Sequence, residues 1–379
     1  MTDRAAIDVL HELVATPSVS GDERAAVDVF VRHATAIGFD SHADMAGNGI
    51  AIRGDPREAA AEIVLLGHVD TVAGEIAVRI EEGVLHGRGS VDAKGPLAAM
   101  LIGASRAELP SGVRVRVVAA VGEESSDSPG ARALVQAIPA PASCIIGEPS
   151  GWDGVTLGYK GRLIVRASVE SECGHSAGPA GSPCDALMSW WDGIRTLWDE
   201  FNEGRGGAFE TVLASVHAMN SASDGLRVRA TAVAGFRLPP WLSPAEFEAR
   251  IRGRTGANIG LAFEGHAPAH RTDRGDAVVR ALSTAIRELG SRPRHKVKTG
   301  TADMNIVGPA WGCPIAAYGP GESALDHTPR ERLDLADYER AIAVLTRAVE
   351  TIAGEVARTT GGTPVPLTDF PRQAGRLSH

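Results

Sequence analysis

Cysteine is scarce in this chain, and the few present are scattered. Cys144, Cys173, Cys184 and Cys313 show no Cys-x-x-Cys spacing. That excludes a disulfide framework and a Cys-rich structural zinc set, and it fits reduced thiols in a cytosolic protein. Long apolar runs are also missing, and none approaches membrane-spanning length. The opening residues, MTDRAAIDVLHELVATPSVS, lack the apolar core of a signal peptide. A soluble, cytoplasmic protein is therefore expected. Positive charge is in deficit, with 38 Lys and Arg against 47 Asp and Glu for a net charge of −9. Neither nucleic acid nor an anionic membrane is then expected as the main partner. Internal repeats are not evident. The apolar fraction of 44% and charged fraction of 22% are globular values, and 379 residues suit two domains with large cores.

The stretch around which the rest is organised covers residues 63–97, IVLLGHVDTVAGEIAVRIEEGVLHGRGSVDAKGPL. Its apolar run, Ile63-Val64-Leu65-Leu66, reads as a buried strand of a parallel sheet. The run ends in Gly67-His68-Val69-Asp70, and in an extended chain that spacing points His68 and Asp70 to the same side. Asp92 follows the glycine-rich turn Gly87-Arg88-Gly89 and precedes a helix-like run with Pro96 near its start. An imidazole and two carboxylates at a strand's carboxyl edge suit a cation such as zinc. For His-x-Asp alone, a solvated polar loop after a core strand is the favoured reading.

Three more apolar runs end in the same way. Residues 113–121 lead into Gly122-Glu123-Glu124, and 143–146 into Gly147-Glu148-Pro149. Residues 314–318 lead through Gly319-Pro320-Gly321 to Asp326-His327. Ligands of open α/β sheets gather at the carboxyl ends of strands. Around these runs, helical spacing predicts helices over 3–15, 22–37, 276–289 and about 334–356. The alternation predicts an α/β fold with a mostly parallel sheet.

The middle of the chain differs. It reads as a strand over 163–169, a helix over 183–201, strands over 211–218 and 226–238, a helix over 244–252 and a strand near 259–263. That βαββαβ order suits an inserted ferredoxin-like α+β domain. The expected division is a discontinuous domain of residues 1–161 and 266–358, an insert of 162–265, and a mobile tail of 359–379. Leu187, Trp190, Trp191, Ile194, Leu197 and Trp198 form a stripe too broad for one face; core packing explains most of it, and the excess aromatic surface suggests a subunit contact.

If Asp70, Asp92, Glu123, Glu124 and Glu148 converge, like charges would resist ionising together. Cations resolve that conflict. Five carboxylates and two imidazoles are about the complement of a two-metal site, where paired ions ionise a water and clamp a carbonyl. Of the adjacent pair Glu123 and Glu124, one can ligate while the other acts as general base. Singly, each residue has a plainer reading. Glu123-Glu124 suits a solvated loop, His327 and His175 suit surface histidines, and Lys298 and Arg227 suit surface charges.

Gly67-His68-Val69-Asp70-Thr71, residues 87–95 (GRGSVDAKG), Gly122-Glu123-Glu124, Gly147-Glu148-Pro149, Gly174-His175-Ser176 and Asp326-His327-Thr328 occur in that order. Together they resemble the zinc-dependent aminoacylase, acetylornithine deacetylase and succinyl-diaminopimelate desuccinylase family of co-catalytic metallohydrolases. The likeness spans almost the whole chain. It implies two divalent ions, zinc with cobalt able to substitute, and Asp92 as the bridging ligand. It implies His68 and Glu148 on one ion, Glu124 and His327 on the other, Glu123 as general base and acid, and Asp70 orienting His68. It further implies that the insert serves as a dimerisation and lid domain, a homodimer, and His175 reaching the neighbour's site to stabilise the oxyanion.

Within that family, residues 298–305 (KTGTADMN) and 318–328 (YGPGESALDHT) look most like the amino-group-carrier-protein hydrolases. Those enzymes release lysine or ornithine from the C-terminal glutamate of a small acidic carrier protein. The likeness implies such a carrier as partner and Arg227, Lys298, Thr301, Gly319 and Gly321 as substrate contacts. One departure is Ala302, which stands where serine is expected. Other readings stay open at this point. One is a deacetylase, desuccinylase or dipeptidase acting on a free small molecule. Another is an inactive, metal-stabilised binding module, against which Glu123 and the full ligand set argue.

Overall fold

The computed structural model describes residues 3–54, 60–175 and 181–360. The chain forms two compact units. One comprises Met1–Gly158, Thr272–Lys296 and Ala302–His379, the other Tyr159–Arg271 and Val297–Thr301. Among the described residues no helix is long and apolar enough to cross a membrane.

In the first unit four strands lie side by side and parallel, in the order Val113–Ala120, Ala61–His68, Ser143–Gly147 and Ile315–Tyr318. Leu65 stands opposite both Val117 and Ile145, and His68 stands opposite Ala120. All eight residues of Val113–Ala120 are buried, so both faces of the sheet are covered. That coverage is why these strands read as unbroken apolar runs. Arg114 and Arg116 interrupt the run without leaving the interior, because both pair with buried Glu62 at 2.9 Å. The helices Arg4–Ala15, Lys94–Arg106 and Leu335–Thr360 pack on one another in turn. Gly103 allows the last two to approach closely, since a Cβ there would stand 2.8 Å from Leu345 Cβ.

The sheet departs from a parallel pattern at its margins. Gly49–Arg53 runs antiparallel to Val113–Ala120, Asp40–Ala43 antiparallel to Gly49–Arg53, and Gly154–Tyr159 antiparallel to Ile315–Tyr318. Asp40–Ala43 and Gly49–Arg53 form a hairpin, which a tight turn can close only between antiparallel strands. Asp44 builds that turn by accepting from the backbone N–H of Ala46 and Asn48. The last helix runs past its expected end near 356 to Thr360. The tail predicted to be mobile lies, from 361 on, outside the described residues.

The second unit has the order strand Gly161–Glu172, helix Pro183–Asn202, strands Leu213–Ser223 and Arg227–Leu238, helix Pro244–Gly253 and strand Gly260–Ala267. Its sheet is antiparallel throughout, with Leu213–Ser223 and Gly260–Ala267 at the edges and Gly161–Glu172 inside. Leu163, Val165, Ala167, Leu187, Ile194, Phe236 and Phe247 form its core. A Ser182–Asp185 capping box and Pro183 start the long helix. Most of the tryptophan stripe packs into this core, as expected. Trp190 is buried, and Trp191 packs on Trp198 and Phe236 with ring centroids 5.1 and 6.2 Å away.

Candidate metal centre

The parallel strands deliver their last residues to one edge. His68 ends Ala61–His68, Glu123 and Glu124 follow Val113–Ala120, and Glu148 follows Ser143–Gly147. His327 follows Ile315–Tyr318 by a longer loop, and Asp92 precedes the helix Lys94–Arg106. The fold brings all six together, with Asp70. The ligand atoms of His68, Asp92 and Glu148 lie within 4.8 Å of one another, as do those of Asp92, Glu124 and His327, and those of His68, Glu123 and Glu124.

His68 is 2% exposed, and its ring is oriented from behind. Nδ1 lies 3.0 Å from the Asp70 carbonyl oxygen and 3.4 Å from Asp70 Oδ1. A carbonyl oxygen can only accept, so Nδ1 carries the proton and Nε2 faces the carboxylates. There Nε2 stands 3.2 Å from Asp92 Oδ1, 3.8 Å from Glu148 Oε1 and 4.0 Å from Glu123 Oε2. Asp70 does a second job. Its carboxylate accepts from Ser20 Oγ at 2.7 Å and from the backbone N–H of Glu123 and Glu124 at 3.0 Å each, fixing the turn that presents both glutamates.

Asp92 divides its two oxygens between the histidines. Oδ1 faces His68 Nε2 at 3.2 Å, and Oδ2 faces His327 Nε2 at 3.0 Å. His327 Nε2 also lies 2.8 Å from Glu124 Oε1. The backbone of His327 has φ +59°, a left-handed conformation uncommon outside glycine that its surroundings must hold in place.

The electrostatics follow from six acidic groups in a small volume. Burial disfavours charge on His68, but hydrogen bonds to Asp70 and Asp92 outweigh it and lift its pKa well above the ordinary value. Hydrogen bonds to Asp92 and Glu124 raise His327 to about 10. Burial pushes the Glu123 carboxyl well above its usual range. His68 pulls it back, while Glu148, Asp303 and Glu124 push it further up. The site therefore favours positive charge wherever carboxylates converge. Divalent ions fit this donor set. Two donors each ~2.1 Å from one tetrahedral ion stand ~3.4 Å apart, and the histidine–carboxylate separations of 2.8 to 3.8 Å bracket that spacing.

Gly319 and Gly321 also belong to this unit. A Cβ on Gly319 would come within 2.6 Å of Pro96, and one on Gly321, at φ +99°, within 2.8 Å of Val91. Both glycines let the chain close against the segment that carries Asp92. Arg227, Lys298, Thr301 and His175 belong to the second unit. Arg227 pairs with Glu170, the Lys298 ammonium sits 5.6 Å from the Tyr159 ring centroid, and Thr301 Oγ1 receives a hydrogen bond from Arg237. His175 is exposed, and Ser176, which completes its Gly-His-Ser motif, lies outside the described residues. Sequence reading missed Ser20, Asp303 and Glu331. Ser20 and Glu331 act on the site across 50 residues or more, as in the Ser20–Asp70 and Glu331–Asp92 hydrogen bonds, which no local pattern announces.

The chain matches the peptidase family M20/M25/M40 over residues 64–351. It is 45% identical over 359 residues to the LysW-lysine hydrolase of Deinococcus radiodurans, covering 93% of this chain and 98% of that one. The LysW-lysine/LysW-ornithine hydrolase of Saccharolobus islandicus is 28% identical, with 77% and 81% covered. Among solved structures, an M20 family metallo-carboxypeptidase from Sulfolobus solfataricus superposes with a TM-score of 0.76 at 18% identity, covering 93% and 100% of the two chains. With the family matched over most of its length and a hydrolase relative aligned nearly end to end, this chain belongs to peptidase family M20/M25/M40 and is a metal-dependent hydrolase of amide bonds.

Proposed function

We propose that the enzyme releases a basic amino acid, lysine or ornithine or a close relative, from the C-terminal glutamate of a small acidic amino-group carrier protein. The observation behind this is the 45% identity, over 93% of this chain, to a relative named LysW-lysine hydrolase. We assign His68 and Glu148 to one zinc ion, Glu124 and His327 to a second, and Asp92 to both. The division of Asp92 between the two histidines supports that assignment. Bound divalent ions would supply Lewis acidity toward the amide carbonyl and lower the pKa of the attacking water.

The protein's own groups do the rest. Asp70 holds His68 in the tautomer that presents Nε2, and it holds the Glu123–Glu124 turn by its backbone. Glu123 takes a proton from the water as oxygen attacks the carbonyl carbon. It returns that proton to the amine nitrogen as the C–N bond breaks. The second unit is assigned to homodimer formation, with His175 donating to the oxyanion in the neighbouring subunit's site.

The substrate is tested by comparing rates on carrier-linked lysine, carrier-linked ornithine, N-acetyl-ornithine and N-succinyl-diaminopimelate. The carrier adducts are expected to be cleaved fastest. Cleavage of a free acyl amino acid with the adducts untouched would replace the carrier reading and leave the hydrolase class intact.

His175→Ala is expected to lower kcat more than it raises KM. Mixing His175→Ala chains with Glu123→Gln chains is expected to recover activity in the heterodimer. A demonstrated heterodimer without activity would remove His175 from the neighbour's site.

A further inference from the structure

We propose that Glu331 is a positioning residue for the metal centre, clamping the His327 segment to the Asp92 segment through Arg88. The proposal rests on the two-ion reading above. Glu331 is 1% exposed, and a buried carboxylate must find partners. Its Oε1 accepts from the backbone N–H of Val91 at 3.0 Å and of Asp92 itself at 3.1 Å. Its Oε2 accepts from Arg88 Nη1 at 2.7 Å. The same Nη1 lies 3.3 Å from the carbonyl oxygen of Thr328, the residue after His327, and Arg88 Nε donates to Gly74 O at 3.0 Å.

One carboxylate thus fixes the backbone of the residue placed on both ions. One guanidinium ties that carboxylate to the neighbour of a ligand from a distant part of the chain. The link matters because His327 has a left-handed φ of +59° and side-chain exposure of 49%, so little packing of its own holds the imidazole in place. Charge-assisted hydrogen bonds from a planar guanidinium fix direction as well as distance. Asp70 orients His68 from behind, and the Arg88–Glu331 pair does the corresponding work for Asp92 and His327.

The test is a zinc titration of the full-length protein against a competing chromophoric chelator. The absorption spectrum of the cobalt-loaded protein is the second readout. Glu331→Gln keeps an acceptor for the Val91 and Asp92 N–H groups but removes the ion pair. Arg88→Lys keeps the charge but lacks the planar fork. Each variant is expected to retain the parent's metal-free circular dichroism and to bind its weaker ion about 10- to 100-fold less tightly. Each is also expected to shift the cobalt spectrum. The double variant is expected to be no worse than the poorer single one, as for groups acting as a unit.

Parental affinity and cobalt spectrum in a folded variant would overturn the clamp. So would a lowered metal-free Tm with unchanged affinity, because that is the signature of a structural residue alone. If Glu331→Gln fails to fold, Arg88→Lys decides by the same criteria. A parent that binds no divalent ion would overturn the two-ion reading and the clamp together, which separates the two failures.

Discussion

Glu123→Gln is expected to lower turnover by about two to four orders of magnitude, the range for a general acid–base group, while zinc content stays at the parent's level. Glutamine preserves the shape and the backbone N–H that donates to Asp70. It removes the one property the reaction needs, a carboxylate that can take and return a proton. The proposed roles divide the two adjacent glutamates, and one distance supports the division. Glu124 Oε1 stands 2.8 Å from His327 Nε2, a ligand's distance, whereas Glu123 Oε2 stands 4.0 Å from His68 Nε2. Glu123 can also be grouped with His68 and Glu124 as a donor set, so the contest is real. Zinc lost together with activity would exchange the roles of Glu123 and Glu124. Zinc analysis beside kcat on the purified variant decides it.

Chelation is expected to abolish activity entirely, and zinc or cobalt to restore it. Activity persisting in a preparation shown to be metal-free would remove the two-ion mechanism. The fold itself should survive chelation, because the first unit's core is built from apolar side chains of strands and helices and includes none of the proposed metal ligands. Stability should still fall. Ligand at a hundredfold excess over its Kd stabilises by about 2.7 kcal/mol, so the melting temperature should drop on chelation and recover with metal. A chelated protein that unfolds outright would make the ions structural as well as catalytic.

Much of the first unit could be read from the chain because burial on both faces erases alternation. Residues 63–66 and 143–146 announce themselves as unbroken apolar runs, and the polar residue that ends each one marks the sheet's functional edge. The second unit was readable for the opposite reason. Gly161–Glu172 alternates buried residues with partly or fully exposed ones as a half-covered strand must.

What stayed hidden depends on pairing over long separations. Glu62 neutralises Arg114 and Arg116, and Glu331 supports Asp92 from 239 positions away. Nothing local at Glu331 distinguishes it from the exposed Arg330 and Arg332 on either side. The antiparallel margins were hidden too, since strand direction depends on connections rather than on composition.

The strand Ile315–Tyr318 lies between Ser143–Gly147 and Gly154–Tyr159, although the chain makes it last of the three. On the ribosome, everything through Glu148 is available long before the strand that completes the sheet beside it. Synthesis at ~5–20 residues per second leaves the sheet open for on the order of ten seconds or more. During that interval the nascent protein holds His68, Asp92, both adjacent glutamates and Glu148, but not His327. It also exposes an unfilled strand position whose hydrogen-bonding groups await a partner. A chain truncated before residue 315 would keep that gap permanently, and a chaperone or a protease would meet it first.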